Sequence, residues 1–253
     1  MHLLQHLSRS MQSMRRVVRD KGMAFQRFIV CGDSYSEGMS DEIIDHKYRG
    51  WADRVADVMA NAHADFTYMN LAVRGKLIGQ VVEDQVPTAL AFVTGADTLV
   101  SFHAGANDAL RPGYQPQVAI PLYQEAVRLI AKSGATLMLF TVLERTGNKG
   151  KGSEIWEKRF SEFNQGVRQV GAEVGAIVGA KFLVAFTQSG DSARRMSRLR
   201  SPINIMALTP TLEVFNQLAL SWGVEPLVTP MVKHTDEMVL QADKMLIEGK
   251  RAE

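Results

Sequence analysis

The sequence predicts an α/β protein built around a parallel β-sheet with helices on both faces. Three observations predict it: the strand-like runs are continuously apolar, helical patterns separate them, and each run ends in a polar turn bearing Gly or Asn. A strand buried on both faces needs no alternation, which is why continuity rather than period two is the signal. In such sheets ligands gather at the carboxyl ends of the strands, so those polar turns are where chemistry is expected.

In chain order, RFIVCG (27–32) is the first strand and residues around 50 to 60 form a helix. FTYMNLA (66–72) is the second strand, followed by a helix around 78 to 92. DTLVSFH (97–103) is the third, with a helix around 119 to 132, and TLMLFTV (136–142) is the fourth. A long helix fits 152–176, and the composition then changes near 175 to 180. KFLVAF (181–186) opens a second series: helix SARRMSRL, strand INIMAL, helix TLEVFNQLALSWG, strand EPLVTP and helix TDEMVLQADKMLIEG. The first sheet is expected to have five strands, with KFLVAFT a candidate for the fifth place. No tandem repeat or low-complexity tract occurs.

Bulk properties narrow the function classes. The 253 residues, 46% hydrophobic and 22% charged, are enough to bury a sizeable core. Net charge is +2, from 29 basic and 27 acidic residues, so no global basic field argues for nucleic acid. Cys31 is the only cysteine, which excludes an internal disulfide, and no apolar stretch of 18 residues suggests a membrane span. A cytoplasmic location is expected. Residues 1–22 carry five basic residues and one acidic residue without the apolar centre of a secretory signal. Residues 1–24 therefore read as a poorly ordered basic leader or extension: an organelle-type transit peptide, a surface-binding helix, or a non-native upstream extension before Met23, the last of which is favoured.

The first candidate site is CGDSYSEGM (31–39), where Ser34 follows the first strand. Gly32 permits a tight turn and Asp33 can hold it by side-chain to backbone bonds. Alone, this is an ordinary β-to-α turn in which Ser caps a helix. Two further strand ends change the balance: NLAVRG (70–75) after the second strand and GAND (105–108) after the third. Acyl transfer needs a serine and donors aimed at a developing oxyanion, and the N–H of Gly75 and the amide of Asn107 would meet that need beside the Ser34 N–H.

With those three blocks in order, residues of about 26–178 resemble the SGNH (GDSL-type) hydrolase superfamily. The resemblance implies a flavodoxin-like α/β/α sandwich with Ser34 as nucleophile and the Ser34 N–H, Gly75 and Asn107 as oxyanion hole. It implies small ester or acyl substrates, an acyl-enzyme intermediate, and neither metal nor cofactor. The chain departs from the family in its base, which the family takes from a C-terminal Asp-x-x-His block; none occurs after residue 150. His103, in SFHAGAND, and His234, in VKHTDEM, are the two candidates for that role. For His103 a structural place under the loop is the favoured expectation, and for His234 a polar position ahead of a helix start. His46 and His63 have no evident carboxylate to orient them.

A second candidate site is FTQSGDSARRMSR (186–198), where Thr187, Ser189, Gly190 and Ser192 could hold an anion at a helix start. Asp191 opposes an anion, and Arg194 and Arg195 partly offset it. With ALTP, QLALSWGVEP and TDEM, this stretch resembles the pyruvate kinase C-terminal domain over about residues 178–250. The resemblance implies a sugar-phosphate effector at that loop and homo-oligomer contacts. It does not imply pyruvate kinase catalysis, whose (β/α)8 barrel needs about 250 residues of its own. The further strand that family places after the last helix is not present by residue 253, so an uncovered sheet edge is expected.

The expected organisation is 25–178 as a hydrolase-like domain and 179–253 as a smaller α/β domain. The leading expectation is ester hydrolysis by Ser34 with reduced or absent turnover. Two others stand beside it: a non-catalytic ligand-binding or assembly module, and a non-natural fusion of two family fragments.

Overall fold

The computed structural model describes residues 25–61, 63–142, 153–232 and 234–248. The basic leader, 1–24, lies outside the described residues. The chain divides into two compact units, Met1–Val167 and Arg168–Glu253, with the helix Ser153–Ile177 running through the division.

In the first unit β1 (Arg27–Gly32), β4 (Thr67–Asn70), β5 (Thr98–His103) and β6 (Thr136–Leu139) form a parallel sheet in the order β4-β1-β5-β6. Numbered along the sheet's own strands this is 2-1-3-4, the flavodoxin-like order, with its reversal between β1 and β5. The register places Gly32 opposite His103 and Val30 opposite Asn70, so three strand ends come level at that reversal. The central strands β1 and β5 are buried almost throughout, as their unbroken apolar runs require.

Helices cover both faces. The helix Trp51–Ala60 packs Trp51, Ala52, Val55 and Ala56 against Phe28, Val30 and Leu99. The helix Pro116–Lys132 lies on the opposite face, where the Tyr123 ring meets Phe102 at 5.0 Å between centroids. Its buried Ala119, Tyr123, Ala126, Val127 and Ile130 follow the i, i+3, i+4, i+7 rule. The expected helix at 78 to 92 is present as Ile78–Gln80, a π-turn at Val81–Gln85, and Val86–Phe92.

A two-stranded hairpin, β2 (Glu42–Ile44) with β3 (Lys47–Arg49), interrupts the expected β-to-α passage. Its turn residues Asp45 and His46 both have positive φ, 49° and 64°, the geometry of a tight two-residue hairpin turn. The run around it is neither apolar nor marked by Asn-Gly, so periodicity gives no sign of it.

In the second unit β7 (Phe182–Phe186), β8 (Asn204–Thr209) and β9 (Val224–Val228) form a parallel three-stranded sheet with β8 central. The expectation that KFLVAFT supplies a fifth strand to the first sheet is corrected: it pairs with β8 from Phe182↔Asn204 to Phe186↔Leu208. Among the described residues the first sheet has four strands. The pairing follows from burial, since Ala185, Ile205 and Ala207 share one core with Ala193, Val214 and Leu218 from the helices Asp191–Ser197 and Leu212–Leu218. Among the described residues no helix is long and apolar enough to cross a membrane.

Two outcomes follow from this packing. Leu218 is fully buried in the second core, and Leu218→Ala is expected to cost about 3 kcal/mol, read as a lower urea midpoint. The buried thiol of Cys31 is pushed up by desolvation from 9.0 to about 12. Folded protein at pH 8 is therefore expected to resist a thiol-specific disulfide reagent that reacts at once in denaturant. Because the folded value is the raised one, the stabilising effect of the neutral thiol is full below pH 9 and fades as pH rises towards 12.

Candidate active site

The site is built on the end of β1. The buried amide of Gln85 holds the Gly32 main chain from both sides: Gly32 N–H donates to Oε1 at 2.7 Å, and Nε2 donates to the Gly32 carbonyl at 3.0 Å. The same carbonyl accepts from the Val73 N–H at 3.2 Å, which ties the loop after β4 to β1. Gln85 reaches this position from the π-turn.

Asp33 is 1% exposed and caps the short helix Ser34–Glu37, its Oδ1 accepting from the Tyr35 N–H at 3.2 Å. Ser34 thus occupies the first helical position, where a backbone N–H has no partner within the helix. Its side chain is partly exposed, and Ser34 Oγ makes no hydrogen bond among the described residues.

The loop after β4 is fixed by Asn70, whose Nδ2 donates to the Ser36 carbonyl at 2.9 Å while its Oδ1 accepts from the Ala72 N–H at 3.0 Å. Gly75 is exposed with φ +77°, and nothing lies within 4 Å of where a Cβ would stand. At the end of β5, Gly105 has φ +101° and the Phe163 ring rests on it, so close that an added Cβ would lie 2.1 Å from Cζ. This close approach admits only glycine.

Asn107, two residues on, joins the loops. Its Nδ2 donates to the Lys76 carbonyl at 3.0 Å and to Asp33 Oδ2 at 3.3 Å. One amide therefore bridges the turn that carries Ser34 and the loop that carries Gly75, and both of its protons are engaged. Asp108 accepts from the Ile78 N–H at 2.9 Å; burial pushes its carboxyl above the ordinary range, with that N–H acting in the opposite sense.

The histidines are distributed as follows. His103 is 4% exposed, its ring 4.5 Å from that of Tyr35 and 6.4 Å from that of Phe140 between centroids. Its Nδ1 lies 3.7 Å from Asp33 Oδ1 and has no hydrogen-bond partner among the described residues. His234 is exposed in the second unit at the start of the helix Thr235–Glu248, its carbonyl accepting from the Met238 N–H. His46 is exposed in the hairpin turn. Among the described residues no imidazole hydrogen-bonds Ser34 Oγ.

The loop at 187–192 satisfies two of its backbone donors from within, while the Thr187 N–H donates to the Leu208 carbonyl. The Gly190 N–H donates to the Thr187 hydroxyl at 2.8 Å and the Asp191 N–H to the Ser189 hydroxyl at 3.4 Å. Arg194 folds back across it, donating to the Ser189 carbonyl at 2.6 Å and to Asp191 at 3.0 Å, and Ser192 sits in the first turn of the helix that follows.

Sequence reasoning singled out Ser34, Gly75 and Asn107 as candidates but not the residues that hold their loops: Gln85, the Asp33 to Asn107 bond, and a Glu37–Arg74 pair. Gln85 carried a usable signal, since it is polar on the face shared by the buried Val81, Val86 and Ala89.

Fold and site define an α/β protein with a serine at the end of the first parallel strand and amide donors at the ends of the next two. The model of the GDSL-like Lipase/Acylhydrolase family matches residues 30–200, and the chain belongs to that family. The model of the Pyruvate kinase, alpha/beta domain matches residues 169–253, so 169–200 falls within both. Over that part the chain is similar to pyruvate kinase from Mycobacterium tuberculosis, 47% identical over 79 residues, covering 31% of this chain and 17% of that protein. Pyruvate kinase from Corynebacterium glutamicum is 39% identical over 75 residues, 30% of this chain and 16% of that protein. The chain thus spans about a sixth of the length of the curated relatives it matches. Similar solved structures include the psychrotrophic esterase EstA from Pseudoalteromonas sp., TM-score 0.44, 17% identical, covering 60% of this chain and 74% of that one. They also include Axe2, an acetylxylan esterase from Geobacillus stearothermophilus, TM-score 0.47, 14% identical, covering 87% of this chain and 92% of that one.

Gly105→Ala combines positive φ with a collision against Phe163, and is expected to cost at least about 2 kcal/mol, measured by urea unfolding.

Proposed function

We propose that the chain hydrolyses small acyl esters through Ser34, with turnover limited by the lack of a base on the serine. Membership of a GDSL-like lipase and acylhydrolase family supports the reaction class. The observation that carries the reading is the bridging amide of Asn107, held to Asp33 and Lys76, which gathers Ser34 and the Gly75 loop at one point of the sheet.

In the proposed reaction Ser34 Oγ attacks the ester carbonyl carbon, and the carbonyl oxygen takes up negative charge facing the N–H groups of Ser34 and Gly75 and the Asn107 amide. Donors set in advance against that charge are the largest single source of acceleration in acyl transfer. The C–O bond to the alcohol breaks, the alcohol leaves with a proton, and water then hydrolyses the acyl-serine to the free acid. The Ser34 proton must go to a base within hydrogen-bond reach or to solvent. His103 Nδ1 faces the Asp33 carboxylate at 3.7 Å rather than the serine hydroxyl, and among the described residues no imidazole hydrogen-bonds Ser34 Oγ. A serine hydrolase without its base loses several orders of magnitude in turnover and keeps the part due to the donors and to binding.

The expected outcome is slow but measurable hydrolysis of p-nitrophenyl acetate that Ser34→Ala reduces to the rate of buffer. Equal turnover in the wild type and the variant would sink the assignment.

A further inference from the structure

The Gly75 side of the loop is lightly held: its carbonyl accepts from Arg111 Nη2 at 3.4 Å, a long contact that leaves the N–H on the other peptide plane unfixed. The φ of Gly75 is +77° and its Cβ position is open, so the direction of its N–H is set mainly by the peptide planes on either side. On one side Lys76 is held through its carbonyl by Asn107. On the other side Arg74 is held by Glu37, the last residue of the four-residue helix that begins with Ser34.

The hold by Glu37 is more than a side-chain ion pair. Glu37 Oε2 accepts the backbone N–H of Arg74 at 2.8 Å, which fixes the peptide plane immediately before the one that carries the Gly75 N–H. The Arg74 side chain closes on the same carboxylate, Nη2 to Oε1 at 2.8 Å and Nε to Oε2 at 3.0 Å. Its guanidinium also lies 4.7 Å from the centre of the Tyr48 ring, on β3 of the hairpin. Fork-on-carboxylate pairs define direction as well as distance, a property an ammonium does not share. An exposed ion pair of this kind adds little to stability, so its effect lies in geometry.

We propose that Glu37 and Arg74 are positioning residues that hold the Gly75 N–H at a fixed distance from Ser34, and so set the second donor of the oxyanion site. The inference rests on the esterase reading above. Neither side chain touches the reacting atoms; both act through the backbone of the loop at 73–76.

Three variants test it, Glu37→Leu, Glu37→Gln and Arg74→Lys, each measured for p-nitrophenyl acetate turnover, thermal midpoint, and hydrogen exchange at the amides of residues 74–76. Glu37→Leu removes every bond from Arg74 to the carboxylate, leaving only the contact with Tyr48, and is expected to lower kcat about 100-fold, the scale of a misplacement near 1 Å, with KM within about twofold. Glu37→Gln keeps a neutral oxygen for the Arg74 N–H, and Arg74→Lys keeps the backbone bond while losing the fork. Both are expected to fall between wild type and Glu37→Leu, about 10-fold down. Exchange at 74–76 should quicken in the same order while the midpoint moves by no more than about 4 °C. A kcat within twofold of wild type in Glu37→Leu, with Ser34→Ala inactive, overturns this inference and leaves the esterase reading standing. A loss of kcat that tracks loss of folded protein in all three variants overturns it too. Wild-type turnover that does not depend on Ser34 overturns both.

Discussion

The bond on which the site depends is the one between the Asn107 amide and the Asp33 carboxylate. A carboxylate that is 1% exposed must have its lone pairs met by donors, because leaving it bare in a poorly polarisable surrounding is costly. Two donors meet it from different parts of the chain, the Tyr35 N–H on its own turn and Asn107 from the end of β5. Satisfying that charge closes the distance between strand ends that lie 74 residues apart. The serine turn is thereby fixed by an electrostatic requirement as well as by apolar packing beneath it.

A second device recurs around the sheet. At β1 the buried amide of Gln85 takes both main-chain groups of Gly32, and beyond β6 the buried amide of Asn164 does the same for Val142, at 2.8 Å each way. A strand end has to leave the sheet with its N–H and C=O still paired, and a side-chain amide can replace a neighbouring strand for one residue. In both cases the amide comes from a helix, so helix placement and loop direction are set together. The π-turn at Val81–Gln85 belongs to this arrangement, since Gln85 projects from it to Gly32.

These devices explain which parts were legible in the sequence. Strands β1 and β5 declared themselves because full burial leaves unbroken apolar runs, and Ser34, Gly75 and Asn107 because each follows such a run in a short polar block. KFLVAFT was legible as a strand but not as a member of either sheet, because an apolar run carries no information about its partner. That depends on Ile205 and Ala207 forming a core with the helices that flank them. The β2–β3 hairpin escaped because its residues are largely exposed and its turn is Asp-His rather than Asn-Gly. Glu37 looked like any acidic residue in a first turn; only the folded position of Arg74, 37 residues away, gives it a second function.

In the proposed reaction the Ser34 N–H, the Gly75 N–H and the Asn107 amide are unequal in what they can offer a developing oxyanion. The Ser34 N–H has no partner within its own helix, because it stands at the helix start. The Gly75 N–H is limited by how well its neighbours hold it, with a long bond from Arg111 on its carbonyl. Asn107 has both protons committed, so for it to face an oxyanion one existing bond must lengthen. The contact at 3.3 Å to Asp33 is longer than the one at 3.0 Å to Lys76, yet it goes to a charged, buried acceptor that would lose one of its donors. Lengthening the bond to Lys76 exposes only a neutral carbonyl in a loop already tied down through Arg74. The loop after β4 is therefore the side that yields, and the anchoring of Arg74 to Glu37 keeps Gly75 in place when it does.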